Sequence, residues 1–186
     1  LIFTAEEGGD YIIRATPLGA GDEGAYTLSL ARGPELAAAQ EIEIGGSVGR
    51  SSATAQGMVF CVRRAAAHLG LGLAGATVAV QGFGNAGSFA AKLLAEQGCK
   101  IMAISDVSGA FTCKAGIDTD AAIAHVAKHK TLAGFDRVRG VEKMKDALGL
   151  LELPVDILIP AALENQITSK NAKRVKAKLI AECANG

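Results

Sequence analysis

The rhythm of apolar and polar positions along this chain changes near residue 45. Before that point, Asp10-Tyr11-Ile12-Ile13-Arg14-Ala15 and Ala25-Tyr26-Thr27-Leu28-Ser29-Leu30 are short runs of β-prone residues. The stretch from Pro17 to Gly24 between them is rich in turn formers, so the two runs predict an antiparallel hairpin. Two strands alone are marginal in water, and this hairpin needs a partner surface. Gly33-Pro34 breaks the second run. Residues 33–46 then read as a junction, with a short helix over Glu35–Gln40 and a flexible turn at Gly45-Gly46.

From residue 47 onward helices and strands alternate. A helix is expected from Ser51 to about His68, with Val59, Val62, Ala66 and Leu69 at helical spacing. Thr77–Gln81 is a continuous strand of the kind covered on both faces. A helix over Ala86–Gln97 ends at Gly98, and Lys100–Ser105 is the next strand. Thr119–Lys130 predicts a helix and Val155–Pro160 another buried strand. Lys170–Lys176 reads as a basic helix and Ala177–Glu182 as a last strand. Strands separated by helices predict an α/β fold with a doubly wound, mostly parallel sheet over residues 47–186, carrying residues 1–32 as a β-hairpin extension.

Composition narrows the function classes. The chain has 186 residues, 49% hydrophobic and 20% charged, which suits a packed globular core. Lys+Arg and Asp+Glu both number 19, so no charge excess points to nucleic acid or an anionic membrane. Aromatic residues are only 4% and Trp is absent, which removes the usual platform for stacking bases. There is no run of 18 apolar residues, so no membrane span is expected. Cys61, Cys99, Cys113 and Cys183 are widely spaced, without a CxxC pair; they read as small buried thiols of a protein in the reducing cytoplasm. The first residues lack the features of a signal peptide. The chain starts at Leu1 and not Met, as a fragment or processed product does.

One motif carries chemistry. Val78-Ala79-Val80-Gln81-Gly82-Phe83-Gly84-Asn85-Ala86-Gly87 is a GxGxxG pattern that follows a strand and opens a helix. Gly82 permits a tight turn, Gly84 lets backbone approach a pyrophosphate, and Gly87 lets helix and strand pack closely. The helix N-terminus offers N–H groups and a positive dipole end to phosphate. Asp106, 19 residues past Gly87, stands at the end of the next strand, where a carboxylate accepts ribose hydroxyls. The order strand, glycine loop, helix, strand, acid predicts a Rossmann-type site for a nicotinamide dinucleotide. A carboxylate at 106 favours NAD over NADP without excluding NADP, since Lys114 or another neighbour can compensate. His125 and His129, four apart on a helix, have metal-chelating spacing. They lack the glutamate of an HExxH motif, and lysines flank His129, so a solvated face is the reading and no metal is expected. The basic run Lys170, Lys173, Arg174, Lys176 and Lys178 also reads as a solvated face.

Gly45-Gly46-Ser47-Val48-Gly49-Arg50-Ser51-Ser52-Ala53-Thr54, continued by Val80-Gln81-Gly82-Phe83-Gly84-Asn85, closely resembles glutamate dehydrogenases. The likeness resumes at Asp156-Ile157-Leu158-Ile159-Pro160-Ala161-Ala162-Leu163-Glu164-Asn165-Gln166-Ile167 and persists to Ala184-Asn185-Gly186. It covers about residues 45–186. Leucine and phenylalanine dehydrogenases share the glycine loop, while the Ala-Ala-Leu-Glu-Asn segment is more similar to the glutamate enzymes. The resemblance implies that Arg50 and Thr54 lie where substrate meets nicotinamide, with Thr54 near the carboxamide. It implies that Phe83, Gly84, Asn85 and Ala86 surround the pyrophosphate and that Asp106 is the ribose acid. Ala161, Ala162 and Asn165 match a loop along the cofactor, and Asn185 an asparagine at the nicotinamide. Local structure offers a second role for some of these: Thr54 as a helix cap, Asn165 as a turn former.

The family reaction is the reversible oxidative deamination of L-glutamate to 2-oxoglutarate and ammonia, and family members commonly form homo-oligomers. Their substrate lysines and proton-moving acid come from a separate N-terminal domain, which residues 1–44 do not resemble, so no catalytic residue is assigned here. Residues 1–31 are instead similar to the end of a secreted β-sandwich module, the pre-peptidase C-terminal domain, through Gly9-Asp10-Tyr11 and Gly24-Ala25-Tyr26-Thr27-Leu28. Family members also continue past the position of Gly186 with a proline-threonine loop and closing helices. Two readings follow: the cofactor domain of a glutamate dehydrogenase, weak or inactive alone, or a non-catalytic nucleotide-binding or interaction module, including a fusion fragment.

Overall fold

A computed structural model describes the backbone of residues 2–4, 10–17, 26–32 and 40–44, and residues 50–184, with side chains from Ser52 onward. The chain divides into two compact units, Leu1–Ser51 and Ser52–Gly186.

In the first unit the predicted hairpin is the middle of a larger sheet. Strands β1 (Ile2–Thr4), β2 (Asp10–Pro17), β3 (Tyr26–Arg32) and β4 (Gln40–Ile44) form a four-stranded antiparallel meander in chain order. The two expected strands pair with each other, Ile13 opposite Leu30. β4 corrects the reading of the junction. Gln40-Glu41-Ile42-Glu43-Ile44 alternates with a period of two, and that alternation makes a strand against β3. The helix expected at Glu35–Gln40 lies otherwise outside the described residues, as does the Gly45-Gly46 turn.

The second unit holds a six-stranded mixed sheet. Helix α1 (Arg50–His68) leads in, and its buried stripe is Ala55, Met58, Val59, Val62 and Ala66. Leu69, expected on that stripe, is instead exposed past the last turn. The chain continues through β5 (Thr77–Gln81), α2 (Asn85–Glu96), β6 (Lys100–Asp106), β7 (Gly109–Cys113), α3 (Thr119–His129), β8 (Val141–Lys143), β9 (Ile157–Pro160) and β10 (Leu179–Ile180). The sheet order is β10-β9-β5-β6-β7-β8. The four strands from β10 to β6 are parallel, while β7 and β8 run antiparallel at one edge. β5 is central and buried, as its apolar run requires. One face of the sheet, with Val78, Val80, Ile101, Ile104, Ile157 and Ile159, packs on Ala90, Ala91 and Leu94 of α2 and on α1. The other, with Ala79, Ala103 and Leu158, packs on Leu150 and Leu151 of a short helical turn over Leu148–Glu152.

Three elements differ from the sequence reading. The hairpin β6–β7 turns through Val107-Ser108, which carries none of the usual asparagine-glycine signal. The basic helix over Lys170–Lys176 shrinks to one turn, Ala172–Arg174. Val175 and Ala177 then pack on the second face at a spacing of two, which an extended chain satisfies and a helix does not. The last strand pairs only through Leu179–Ile180, although backbone hydrogen bonds continue to Cys183, whose N–H donates to Pro160 O at 2.7 Å.

The amino ends of β5 and β9 are locked together. Asp156 Oδ2 accepts from Thr77 N–H at 2.8 Å and from Thr77 Oγ1 at 2.7 Å, and Oδ1 accepts from Lys178 Nζ at 2.8 Å. Bonds from Lys178 and Thr77 hold the Asp156 carboxyl down at about 2, below its ordinary 3.8.

Candidate dinucleotide site

The chain leaves β5 through Gly82 and leaves β9 through Ala161. From β5 it runs outward to β6, β7 and β8, then returns to β9 on the opposite side of β5. The carboxyl ends of β5 and β9 therefore flank the topological switch point, the place where open α/β sheets hold ligands.

The three loop glycines separate into two kinds. Gly82 has φ +89, and a Cβ there would stand 2.6 Å from Ala161 O and 2.8 Å from Ala162 Cα. A Cβ on Gly87 would stand 1.8 Å from Gly82 O. Both glycines are demanded by packing. Gly84 is not: its backbone is extended at φ −80, and a Cβ would meet nothing within 4 Å. Neither a clash nor a positive φ demands a glycine there. Gly84 is exposed and caps α2 without a side-chain hydrogen bond, and the first helical turn carries no acid. The first intrahelical bond runs from Ser88 N–H to Gly84 O at 2.9 Å, so the turn before it presents the positive end of α2.

The remaining expected residues fall as follows. Phe83 is 2% exposed and belongs to the core, so its side chain is not open to a ligand. Asn85 is exposed and Ala86 half-buried at the start of α2. Ala161 is pinned by its N–H, which donates to Gln81 O at 2.7 Å. Ala162 and Asn165 are exposed on the same loop, and Asn165 takes the left-handed conformation at φ +59, the turn-forming role open to it. Thr54 is exposed on the early turns of α1. The Arg50 side chain and Asn185 lie outside the described residues.

Asp106 closes β6 and is already engaged. Its Oδ1 accepts from Ser108 N–H at 2.8 Å and from Ser108 Oγ at 2.5 Å, and its Oδ2 accepts from Leu132 N–H at 2.6 Å. A carboxylate has about four acceptor positions. The two protein partners leave it room for one ribose hydroxyl more easily than for both. The Asp106-Val107-Ser108 order is an Asx-turn signal the sequence reading passed over. Leu132, far along the chain, gave no signal at all.

Other candidates resolve into structure. His125 is half-buried, not solvated: its ring meets Phe135 at 5.3 Å between centroids, and Nε2 lies 3.0 Å from Ala133 O. His129 is exposed. Among the described residues, no three His, Cys, Asp or Glu side chains converge as metal ligands. Cys99 and Cys113 are buried and Cys183 partly so, while Cys61 is exposed, against the expectation of buried thiols. Burial, with help from Asp156, pushes the Cys99 thiol up to about 11.

A mostly parallel sheet with a glycine turn at its switch point places the second unit among the doubly wound α/β folds of Rossmann type. The chain belongs to the Glutamate/Leucine/Phenylalanine/Valine dehydrogenase family, which residues 45–186 match. It is 46% identical over 145 residues to the glutamate dehydrogenase of Aeropyrum pernix, covering 78% of this chain and 34% of that enzyme. It is 41% identical over 155 residues to the cryptic catabolic NAD-specific glutamate dehydrogenase GudB of Bacillus subtilis, covering 82% and 35%. Among solved structures, the hetero-hexameric glutamate dehydrogenase of Thermus thermophilus in its Leu-bound form is similar, with a TM-score of 0.66 at 26% identity over 76% of this chain and 32% of that one. The chain spans about a third of the length of these relatives.

Proposed function

We propose that residues 47–186 form the cofactor-holding part of a glutamate dehydrogenase, with the pyrophosphate of NAD seated on Gly82–Gly87. The observation that carries this reading is Gly84. A position where a side chain would be free of strain and of clash still has none, and a pyrophosphate lying against the backbone supplies the missing reason. Ala86 and Gly87 then offer N–H groups at the positive end of α2. Ala161, Ala162 and Asn165 border the crevice from the β9 side. Asp106 takes one adenosine-ribose hydroxyl, which favours NAD with NADP still admitted, and the Bacillus relative is named as NAD-specific. Arg50, Thr54 and Asn185 serve the nicotinamide end.

When bound, the cofactor accepts the hydride lost by L-glutamate on its way to 2-oxoglutarate. The residues of this chain bind and orient that cofactor. No lysine or acid of the chain is assigned to substrate, so turnover depends on a substrate domain, in a hexamer-like assembly of the kind the Thermus relative is named for. The β element of different origin, expected over residues 1–32, extends through β4 to Ile44. Among the described residues no helix is long and apolar enough to cross a membrane, and the cytoplasm is the proposed compartment.

Titration with NADH tests the core of this reading. At a hundredfold excess over Kd the ligand adds about 2.7 kcal/mol of stability, a Tm rise of roughly 5–10 °C for a unit of this size. An unchanged Tm at millimolar NADH overturns it. A second reading, a nucleotide-binding module without catalysis, is favoured by the start of the family match at residue 45. Glutamate-dependent reduction of NAD by the 186-residue chain refutes that second reading.

A further inference from the structure

Gln81 is an anomaly in the central strand. It is the last residue of an otherwise apolar run, 6% exposed, and sits directly before Gly82. Its Nε2 donates to Gln166 Oε1 at 3.1 Å. Its Oε1 is buried and has no partner among the described residues. Exchanging the two ends of the amide does not remove the problem, because only one of the two polar atoms faces Gln166. Leaving such a group unmet costs stability, and an apolar side chain of similar shape avoids that cost. A buried amide therefore needs a reason other than stability.

The surroundings supply one. Gln81 holds the loop after β9 twice: its carbonyl accepts from Ala161 N–H at 2.7 Å, and its side chain reaches Gln166 at the far end of the same loop. Gln166 passes the restraint on, donating from Nε2 to Glu164 O at 3.2 Å and accepting Asn171 Nδ2 on its own carbonyl at 2.8 Å. Between these two anchors lie Ala162, pressed against Gly82, and Asn165 in its left-handed turn. The remainder of that stretch, from Ala162 to Asn165, is exposed. One side chain thus ties the glycine loop to the loop across the crevice.

We infer that Gln81 is a positioning residue: through Gln166 it fixes the 161–167 loop against the glycine loop, and so sets the affinity for nicotinamide dinucleotide without touching it. The inference rests on the cofactor reading given above. A loop held in its binding conformation loses less freedom on binding, so releasing it weakens affinity while contacts to the ligand stay the same.

The test is Gln81→Met in the 186-residue chain, with Gln166→Ala and the double variant. Three quantities are read: Tm, amide hydrogen exchange of residues 162–168, and the NADH dissociation constant by fluorescence. Gln81→Met removes an unmet buried acceptor, so Tm stays within about 3 °C of wild type or rises. Exchange at 162–168 speeds up at least threefold, while β9 keeps its protection. The dissociation constant rises by up to about tenfold, the range that ordering one rotamer-rich side chain covers. Gln166→Ala reproduces the affinity loss, and the double variant adds little to either single change. A purely structural role lowers Tm and leaves the affinity of the folded fraction intact, which overturns the inference. Unchanged exchange at 162–168 in Gln81→Met also overturns it, whether or not the chain binds NADH. Failure of wild type to bind NADH counts against the cofactor reading alone, and the exchange result then decides the restraint separately.

Discussion

Substituting each loop glycine in turn separates what the fold requires from what a ligand requires. At Gly87 an added Cβ stands 1.8 Å from Gly82 O, a backbone atom that cannot swing aside. Overpacking of this kind costs about 1–3 kcal/mol or more, and Gly87→Ala is expected to lower Tm by roughly 5–10 °C. Gly82→Ala meets Ala161 O at 2.6 Å and also forces a side chain into φ +89. The left-handed conformation alone costs about 1–2 kcal/mol, so its loss is at least as large. Gly84→Ala behaves differently. As an N-cap residue alanine is worse than glycine by up to about 1 kcal/mol, while the stiffer unfolded chain returns about 0.4–1 kcal/mol. The two nearly cancel, and Tm stays within about 3 °C.

The assay pairs thermal unfolding without ligand against NADH titration well below Tm. Gly84→Ala is expected to keep the fold and weaken NADH at least tenfold, because the methyl lies where the phosphate approaches. Gly84→Val abolishes binding with a fold still intact. If Gly84→Ala lowers Tm as much as Gly87→Ala, the glycine is structural and the reasoning from Gly84 fails. If Gly84→Val binds NADH as wild type does, the pyrophosphate is not on this loop. Native stability in Gly87→Ala contradicts the packing of α2 on the loop.

The clamp at Asp156 gives an acid dependence. Its pKa is depressed to about 2, so its stabilisation is present above the unfolded value near 4 and is lost as pH falls through 4 toward 2. The shift corresponds to at most about 2.5 kcal/mol, and with 21% of the side chain exposed about 1 kcal/mol is expected in practice. Urea unfolding of wild type and Asp156→Asn is expected to differ by that amount at pH 7 and to converge near pH 2; a constant difference across that range contradicts the assignment. Lys178→Met removes the first cause of the depression and moves the acid loss to higher pH, read by the same titration. Asp106→Ala frees Leu132 N–H, so the turn after α3 exchanges faster and Tm falls by roughly 3–6 °C for about 1.5 kcal/mol; a native Tm shows that the carboxylate is not tied to the fold. Iodoacetamide at pH 8 is expected to label exposed Cys61 first and to spare Cys99, whose thiol is pushed up to about 11 by burial; mass spectrometry showing the reverse order overturns that ranking.

Local pattern made much of the second unit legible. The apolar run Thr77–Gln81, the Gly98 stop after α2 and the GxGxxG order each act within a few residues, and the observed elements start or end within two residues of the expected ones. The edge strands were hidden for the opposite reason. β8 has three residues, β7 follows a turn without glycine or asparagine at its centre, and their strand state comes from pairing alone. The basic stretch after Lys170 has good helix formers, but Val175 and Ala177 are drawn to the second sheet face and override them. Contacts across long separations were likewise out of reach. Leu132 is 26 residues from the acid it serves, and Gln166 is 85 residues from Gln81. The polar end of an apolar strand was visible; its partner was not.

Asp106 shows how the edge hairpin reshapes the site it borders. In the usual doubly wound order the strand beside this acid is a third parallel strand, reached by a long crossover, and the acid ends its strand in the open. Here β6 turns straight back into β7 through two residues. The acid must then serve as the anchor of that turn, which is why Ser108 donates to it twice. Leu132 fixes its second oxygen from the far side of α3. On the cofactor reading proposed above, a ribose arriving at this carboxylate meets a side chain whose rotamer is already set, so little freedom is lost on contact. The same partners consume most of its acceptor positions, so the contact is narrow: one hydroxyl, not two. On that reading, cofactor preference at this position is bound to the stability of the hairpin. A substitution chosen to admit a 2′-phosphate also unties Val107-Ser108 and the turn at Leu132, and restoring those bonds from another residue is the condition for changing one property without the other.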